Sequence, residues 1–452
     1  MISSPVLHTA LVSALLTVST SYAQTRAKDY SGSCTDAACH GGLLQRPFVH
    51  GPTSVGSCEA CHVVVSKQDH RFRLTSEGAA LCSFCHLERH AGSVRHRPEA
   101  EGQCVSCHDP HGSDAKYFLR AATVEQLCRQ CHVGVTDGME FLHGPVAAGG
   151  CLACHNAHAS DHEGLLFAAR NEFCVKCHTD VKTQLAGRAY VHGPVTSDCT
   201  ACHNAHGSDD RMLLSASGPD ACLKCHQEME ERIRTAAVKH DAVMTGQACA
   251  TCHDPHASDF EHILRTDAMS LCLSCHDKPL DTPHGRIADL KKLFADNPSV
   301  HGPIAQRQCS GCHETHGGSQ FRMLTQAYPE KFYSAYQEEN YALCFECHEP
   351  DLVRTERTDR LTNFRNGDQN LHFLHVNRET KGRTCRACHE VHASRNPKHI
   401  RDSVPFGNWA IPINFQQTDT GGACQPGCHK PYRYDRGSPF VNLSDASVGR
   451  RE

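Results

Sequence analysis

The chain has 452 residues, and its 45 basic residues nearly balance 50 acidic ones, for a net charge of −5. This balance provides no basic face for nucleic acid. Aromatic residues make up only 6% of the chain, with Trp409 as the single tryptophan. Side chains alone therefore supply little of the bulk that a protein of this length would bury. The 30 cysteines and 36 histidines dominate the composition instead.

The first segment, residues 1–23, is predicted to be a secretory signal peptide. An apolar stretch over residues 6–20 precedes Ser21-Tyr22-Ala23, which has small residues at the two positions read by a signal peptidase. No Lys or Arg precedes the stretch, and a short membrane anchor is the alternative, although the stretch is too short to span a bilayer. We expect residues 24–452 to form a soluble exported protein without a transmembrane helix.

The 30 cysteines form fifteen pairs, and a histidine directly follows the second cysteine of every pair. Four residues separate Cys34 from Cys39, and three separate Cys424 from Cys428. Two residues separate the cysteines of the thirteen regular pairs, which are Cys58 and Cys61, Cys82 and Cys85, Cys104 and Cys107, Cys128 and Cys131, Cys151 and Cys154, Cys174 and Cys177, Cys199 and Cys202, Cys222 and Cys225, Cys249 and Cys252, Cys272 and Cys275, Cys309 and Cys312, Cys344 and Cys347, and Cys385 and Cys388.

This spacing is the attachment pattern of c-type haem. Two thiols add to the two vinyl groups of one haem, and the adjacent histidine becomes the first axial ligand of the iron. A longer spacer can bulge and still place both sulfurs. Disulfide scaffolds, zinc ribbons and redox-active dithiols also use paired cysteines, but none of them needs a histidine after every pair. The sequence therefore predicts about fifteen covalently bound haem c groups, each with its iron.

The motifs alternate between two kinds, here called A and B. The A sites close at His62, His108, His155, His203, His253, His313 and His389. A B site follows each of them, at His86, His132, His178, His226, His276, His348 and His429. His40 behaves as an unpaired B site at the N-terminus. The array is thus one site followed by seven two-haem modules, with a C-terminal cap around 400–452.

The predicted fold is mostly irregular, an extended array of tandem modules with short α-helices and little or no β-sheet. The 33 glycines and 21 prolines agree with many turns. Apolar residues at helical spacing predict an amphipathic helix over 285–296. The aromatic residues of 327–347 are predicted to pack against haem or protein. The segment 400–423, which holds Trp409, is predicted to form a packed cap.

Each iron has a second axial position, and histidines outside the motifs recur at two offsets from the A sites. An upstream set lies 11 to 14 residues before them: His50, His96, His143, His192, His240, His301 and His375. A downstream set lies three residues after them: His111, His158, His206, His256, His316 and His392, with His70 standing in for the first module. These fourteen are the predicted second ligands. The fifteenth is expected from among His90, His162, His262, His284, His372 and His399.

A downstream histidine cannot reach the far face of the haem that its own motif binds, because the porphyrin lies between them. It should therefore ligate a neighbouring haem. We expect the downstream set to serve B haems and the upstream set A haems, with the reverse assignment as the alternative. None of the seven methionines sits at a repeating offset. Bis-histidine ligation is therefore expected throughout, with lower potentials than methionine–histidine ligation gives.

The paired motifs, the His-Gly-Pro strings and the CHxxH strings resemble the doubled-CxxCH cytochromes of the class III type. That group includes the MtrA- and DmsE-type periplasmic decahaem cytochromes of outer-membrane electron conduits. The resemblance covers nearly all of residues 30–430. It implies a soluble, extended chain of bis-histidine haems, which in some members inserts into an outer-membrane porin-like barrel and passes electrons to extracellular acceptors.

The expected function is electron transfer without a catalytic residue, in the periplasm or in an extracellular, outer-membrane-associated position. Its expected partners are donor and acceptor cytochromes and an outer-membrane porin-like barrel, with further copies of the chain as the alternative. A multihaem oxidoreductase is the first alternative and needs an iron with an open position, for which His40 and His429 mark the candidates. A filament-forming or electron-storing cytochrome is the second, because haems near both ends would support contacts between copies.

Overall fold

The computed structural model describes residues 32–87, 91–283, 285–406, 408–427 and 429–442. The predicted signal peptide lies outside these residues, as do His90, His284 and Cys428. The chain forms two compact units. The first runs to Val135 and also contains Gly144–Ala169, and the second contains Thr136–His143 and the chain from Arg170 onward.

The helices are short, and the longest in the described chain has nine residues. The α-helices, α1 to α17, are Gly51–Ser54, Ala79–Ser83, Arg97–Ala100, Val124–Cys128, Gly144–Ala147, Arg170–Cys174, Thr179–Gly187, Gly193–Ser197, Asp220–Leu223, Gln227–Thr235, Cys249–Cys252, Ala268–Leu273, Leu290–Asp296, Gly302–Ala305, Ala342–Phe345, Asp351–Arg354 and Leu371–Val376. Single 3-10 turns form at Gly41–Gln45, Cys58–Ala60, Cys104–Ser106, Lys116–Phe118, Cys151–Ala153, Glu163–Leu165, Cys199–Ala201, Asp241–Val243, Glu261–Ile263, Phe321–Met323, Glu338–Tyr341, Cys385–Ala387 and Pro397–His399.

The strands are equally short, and most have two residues. Strands β1 to β23 are Phe48–Val49, His62–Ser66, Arg71–Leu74, Val94–Arg95, Gly112–Ser113, Phe141–Leu142, Ala159–Ser160, Tyr190–Val191, Gly207–Ser208, Ala257–Ser258, Leu280–Thr282, Gly285–Ile287, Ser299–Val300, Tyr333–Ser334, Arg365–Asn366, Gln369–Asn370, Gly382–Arg383, Ala393–Ser394, Ser403–Phe406, Trp409–Pro412, Gln416–Gln417, Gly421–Cys424 and Tyr432–Asp435. They pair into sheets of two strands, with one sheet of three strands, β21-β22-β23, near the C-terminus. The predicted mostly irregular fold is confirmed.

Five of these antiparallel pairs join successive modules, which the sequence did not predict. Each pairs the two residues before an upstream histidine with the two residues after a downstream histidine of the next module. The pairs are β1 with β5, β4 with β7, β6 with β9, β8 with β10, and β13 with β18. Upstream and downstream histidines of neighbouring modules are thereby brought side by side.

The helix expected over 285–296 covers only its second half. The Asp289 side chain accepts a hydrogen bond from the Lys292 backbone N–H and caps α13, which begins at Leu290. The preceding residues form β12 instead, paired with β11. Gly285 begins that strand at φ +102°, a conformation that favours glycine and is incompatible with a continuous helix.

An apolar cluster of the second unit contains the fully buried Tyr341. Tyr328, Val353 and Val376 are buried in the same cluster. This confirms packing for the central tyrosines of 327–347. Trp409, in the segment 400–423 that is predicted to form a packed cap, is 73% exposed and lies where the β19–β20 hairpin turns. In the described part of the chain, none of the helices has the length and apolar character needed to cross a bilayer.

Candidate haem-ligand sites

One backbone hydrogen bond closes twelve of the thirteen regular cysteine motifs, all except the motif of His62. The histidine N–H donates to the carbonyl of the first cysteine, as in His108 to Cys104 at 3.0 Å. The stretched N-terminal motif makes the same closure, because His40 N–H donates to the Cys34 carbonyl at 3.0 Å. Its two additional residues are looped out, so the predicted bulge is present. In the second stretched motif Cys428 lies outside the described residues.

The first cysteine of a B motif lies beside the first cysteine of the next A motif. Their thiols are in hydrogen-bonding contact in six such pairs: Cys34 and Cys58, Cys128 and Cys151, Cys174 and Cys199, Cys222 and Cys249, Cys272 and Cys309, and Cys344 and Cys385. Groups attached at these cysteines would therefore meet at their thioether edges.

Thirteen motif histidines face a second histidine in one recurring geometry. Ring centroids lie 5.7–6.4 Å apart, and the two planes are within 19° of parallel except for one pair at 34°. In the first unit the pairs are His40 with His70, His50 with His86, His62 with His111, His96 with His132 and His108 with His158. In the second unit they are His143 with His178, His192 with His226, His203 with His256, His240 with His276, His253 with His316, His301 with His348, His313 with His392 and His372 with His389.

This separation matches two imidazoles on opposite faces of one iron. A ligating imidazole nitrogen lies about 2 Å from its metal, and the ring centre lies roughly 1 Å further away. Two such rings therefore have centroids about 6 Å apart across a haem plane. Single stacked aromatic pairs spread over about 4.5–7 Å. The narrow spread of the thirteen pairs shows that the residues present fit a bis-histidine haem.

The ring pairs match the reverse of the expected assignment of the second ligands. Upstream histidines face B-site histidines of their own module, as His192 faces His226. Downstream histidines face the A site one module earlier, as His256 faces His203. The strand pairs are the reason. The His192 N–H donates to the His256 carbonyl at 3.0 Å, so the two histidines stand together and their rings turn to different partners.

The histidine that faces His389, at 6.4 Å, is His372, one of the six candidates that lie outside the two sequence offsets. It lies on α17 one turn before His375, so both rings project from one side of a single helix. Burial lowers the pKa of His372 to about 3 and that of His375 to about 4. Both rings are therefore neutral, the form that binds a metal. The repeated histidines in Leu371–Val376 were the available signal.

The final B-site histidine, His429, stacks on Tyr432 with centroids 4.6 Å apart. Burial chiefly lowers the pKa of His375, and the charge of nearby His429 lowers it further. The predicted ligand roles of His375 and His429, and those of His155 and His206, stay predictions. Of the other candidates for the fifteenth ligand, His399 stands edge-on to His301 at 5.4 Å.

A second hydrogen bond fixes the orientation of the rings. Nδ1 of each A-site histidine from His108 onward lies 2.7–3.1 Å from the carbonyl oxygen nine residues later, as in His108 with Tyr117 and His313 with Arg322. Upstream histidines do the same across modules, as His50 Nδ1 does with the Pro110 carbonyl at 2.8 Å. An Nδ1–H donating to a carbonyl leaves Nε2 free to bind iron.

A family model described as the doubled CXXCH motif matches the chain six times, over residues 50–91, 96–136, 143–183, 192–231, 240–280 and 301–352. Together these matches cover more than half of the chain. Each begins at an upstream histidine and ends beyond a B-site histidine, so it contains both members of one ring pair. No curated protein matches the chain by sequence.

Proposed function

This chain belongs to the doubled-CXXCH family of multihaem c-type cytochromes, and on that premise we propose that it transfers electrons along fifteen covalently bound haems, each ligated by two histidines. Bound haem iron supplies a reversible one-electron step. The observation that carries the proposal is the recurring ring pair. Thirteen motif histidines face a second histidine at the separation that one iron requires.

The cysteines order the path. The Cys222 thiol contacts Cys249, and Cys272 contacts Cys309, so the attachment points of consecutive motifs adjoin. Electrons would pass between neighbouring sites in chain order. The Nδ1 hydrogen bonds hold the ligand rings in place while the charge of the iron changes, and a rigid ligand set suits a carrier.

A site with two histidine ligands has no position for a substrate. This supports a carrier rather than an enzyme. His40, one of the two proposed open sites, faces His70 at 5.7 Å. For the alternative of an oxidoreductase with an open iron position, the remaining candidate is therefore the haem of His429.

For its setting, we propose export to the periplasm or the outer surface, because attachment of c-type haem and the predicted signal over 1–23 both favour that side of the membrane. Its partners in this proposal are donor and acceptor redox proteins, with an outer-membrane porin-like barrel as one partner class. End-to-end assembly of copies is the competing proposal for the same haem array.

The test is a pyridine haemochrome count combined with an electron paramagnetic resonance spectrum of the same purified chain. We expect fifteen haems per chain and only low-spin ferric signals. A high-spin signal equal to one haem would instead indicate an open site and favour the enzyme. A colourless, folded chain would overturn the proposal. Filaments in negative stain would favour assembly.

A further inference from the structure

A short side chain sets the position of four downstream histidines. The residue after the A-site histidine accepts a hydrogen bond from the backbone N–H of the downstream histidine, two residues later, in an Asx turn. The acceptors are Asp109, Asn156, Asn204 and Asp254, and the distance is 3.0 Å in all four. Aspartate and asparagine therefore hold the histidine identically, and the turns differ only in charge.

The ring pairs show which site each turn affects. His111 faces His62, His158 faces His108, and His256 faces His203. Each turn therefore acts on the A site of the preceding module. The sites at His62 and His203 have an aspartate behind their second ligand, and the site at His108 has an asparagine.

The carboxylates face the rings as well as the backbone. Asp109 Oδ1 lies 3.5 Å from His111 Nδ1. Asp254 interacts with the His256 ring in the same turn. A negative charge behind Nδ1–H strengthens the imidazole as a ligand and stabilises the more positive, oxidised iron.

The negative charges of the two carboxylates are offset to different extents by their neighbours. Arg46 Nη1 donates to Asp109 Oδ2 at 2.7 Å and offsets part of its charge. Asp254 Oδ2 accepts from the neutral Gln184 amide at 2.8 Å. The uncompensated charge is therefore larger behind His256 than behind His111.

We propose that Asp254, Asp109 and Asn156 are positioning residues that set the order of the haem potentials at three A sites, lowest at the His203 site, intermediate at the His62 site and highest at the His108 site. The inference rests on the proposed bis-histidine haem function. It adds differences in haem potential along the chain, which depend on the charge of the residue that follows an A-site histidine.

The test uses the full haem-loaded chain and isosteric exchanges. Asp254→Asn and the reciprocal Asn156→Asp keep the oxygen that accepts from the backbone N–H of the histidine. They exchange the second side-chain oxygen and an amide nitrogen, which removes or adds one negative charge. Asp259→Asn makes the same change of net charge five residues away, where the carboxylate pairs with Arg188, and is the matched control. Potentiometric titration is followed by haem absorbance. The midpoint potential should shift for the part of the absorbance change that corresponds to one haem.

At the wild-type midpoint of that haem, Asp254→Asn should raise its reduced-to-oxidised ratio about tenfold, which is about 59 mV for one electron. Asn156→Asp should lower the ratio of a different haem by a similar factor, and Asp109→Asn should have a smaller effect than Asp254→Asn. Equal titrations of Asp254→Asn and Asp259→Asn, or an unchanged Asn156→Asp, would overturn the proposal.

Haem count and spin state are measured on the same samples. If potentials stay fixed while every variant keeps its haems low-spin, the potential pattern is wrong and the electron-transfer function stands. If the wild-type chain lacks bis-histidine low-spin haems, the function itself fails. The two failures are thus distinguishable.

Discussion

The A sites in the body of the chain and the A site at its end acquire their second histidine in different ways. His313 faces His392, which comes from the next module through the β13–β18 strand pair. His389 has no further module behind it and faces His372, from a helix of its own module. The comparison teaches that a module in this array is incomplete by itself, and that the array needs a different element to end.

The same reasoning explains the N-terminal end. The first A site has no preceding A site, and it lacks a histidine three residues downstream. In its place the β2–β3 hairpin carries His70, which faces His40. The sites of His40 and His389 therefore each face a histidine of the same chain.

The largest effect is expected from removing the terminating ligand. In His372→Ala the site of His389 loses its second histidine, so one haem should become high-spin in the electron paramagnetic resonance spectrum of the oxidised chain. His262→Asn is the control, because that side chain is about 79% exposed and asparagine tolerates its positive φ. A spectrum of His372→Ala that matches this control would refute the ligand assignment.

In the body of the chain, removing a downstream histidine should affect a haem site of the preceding module rather than one of its own module. His256→Ala should open the site of His203, one module earlier, and leave the site of His253 low-spin. Adding Cys199→Ala and Cys202→Ala, which removes the affected haem, should then abolish the high-spin signal. His192→Ala is the matched control, since its high-spin signal should belong to His226 and survive the same cysteine changes. If the high-spin signal of His256→Ala also survived the two cysteine changes, ligation across modules would be contradicted.

Local pattern predicted the parts of the site that depend on neighbouring residues. The Cys-x-x-Cys-His spacing, the modules and the two histidine offsets all follow from chemistry within a few residues. Which upstream or downstream histidine meets which motif depends on pairing between segments about 60 residues apart, such as Phe48 with Ser113. Two-residue strands carry no periodic signal, so the sequence left that assignment open.

His372 was one of six candidates outside the two offsets, and the sequence did not single it out. Its place opposite His389 depends on how α17 packs in the fold. The helix over 285–296 failed differently, because apolar spacing alone does not locate a cap such as Asp289.

The helix that ends the array depends on one buried side chain. Asn370 is fully buried, accepts from the His372 N–H at 3.0 Å, and donates to the Leu352 and Thr355 carbonyls at 2.8 Å each. Asn370→Ala should lower the free energy of unfolding by about 2 kcal/mol, because it removes a cap and leaves buried carbonyls unpaired.

Chemical denaturation followed by the Soret band measures this loss. Asn340→Ala, which removes an exposed amide that bonds only locally to Gln337, is the control and should change little. Equal stability of the two variants would show that α17 does not depend on its cap.

The smallest effect tests a charge in the body of the chain. Asp267 caps α12, the helix that carries Cys272, and hydrogen bonds from Ser270 and Arg307 hold its pKa at about 2. Because this pKa lies below the unfolded value of about 3.9, the stabilisation is complete above pH 4 and disappears as the pH falls toward 2.

Asp267→Asn keeps the cap and removes the charge, and the Asp267 side chain is 39% exposed, so solvent screens that charge. It should therefore cost less than about 1 kcal/mol at pH 7 and nothing near pH 2. Denaturation at both pH values, repeated in an Arg307→Gln background, isolates the pair. If the loss persists near pH 2, the carboxylate acts through shape rather than charge. The link between Asp267 and Arg307, which join one B site to the next A site, would then add no pH-dependent stability to the body of the array.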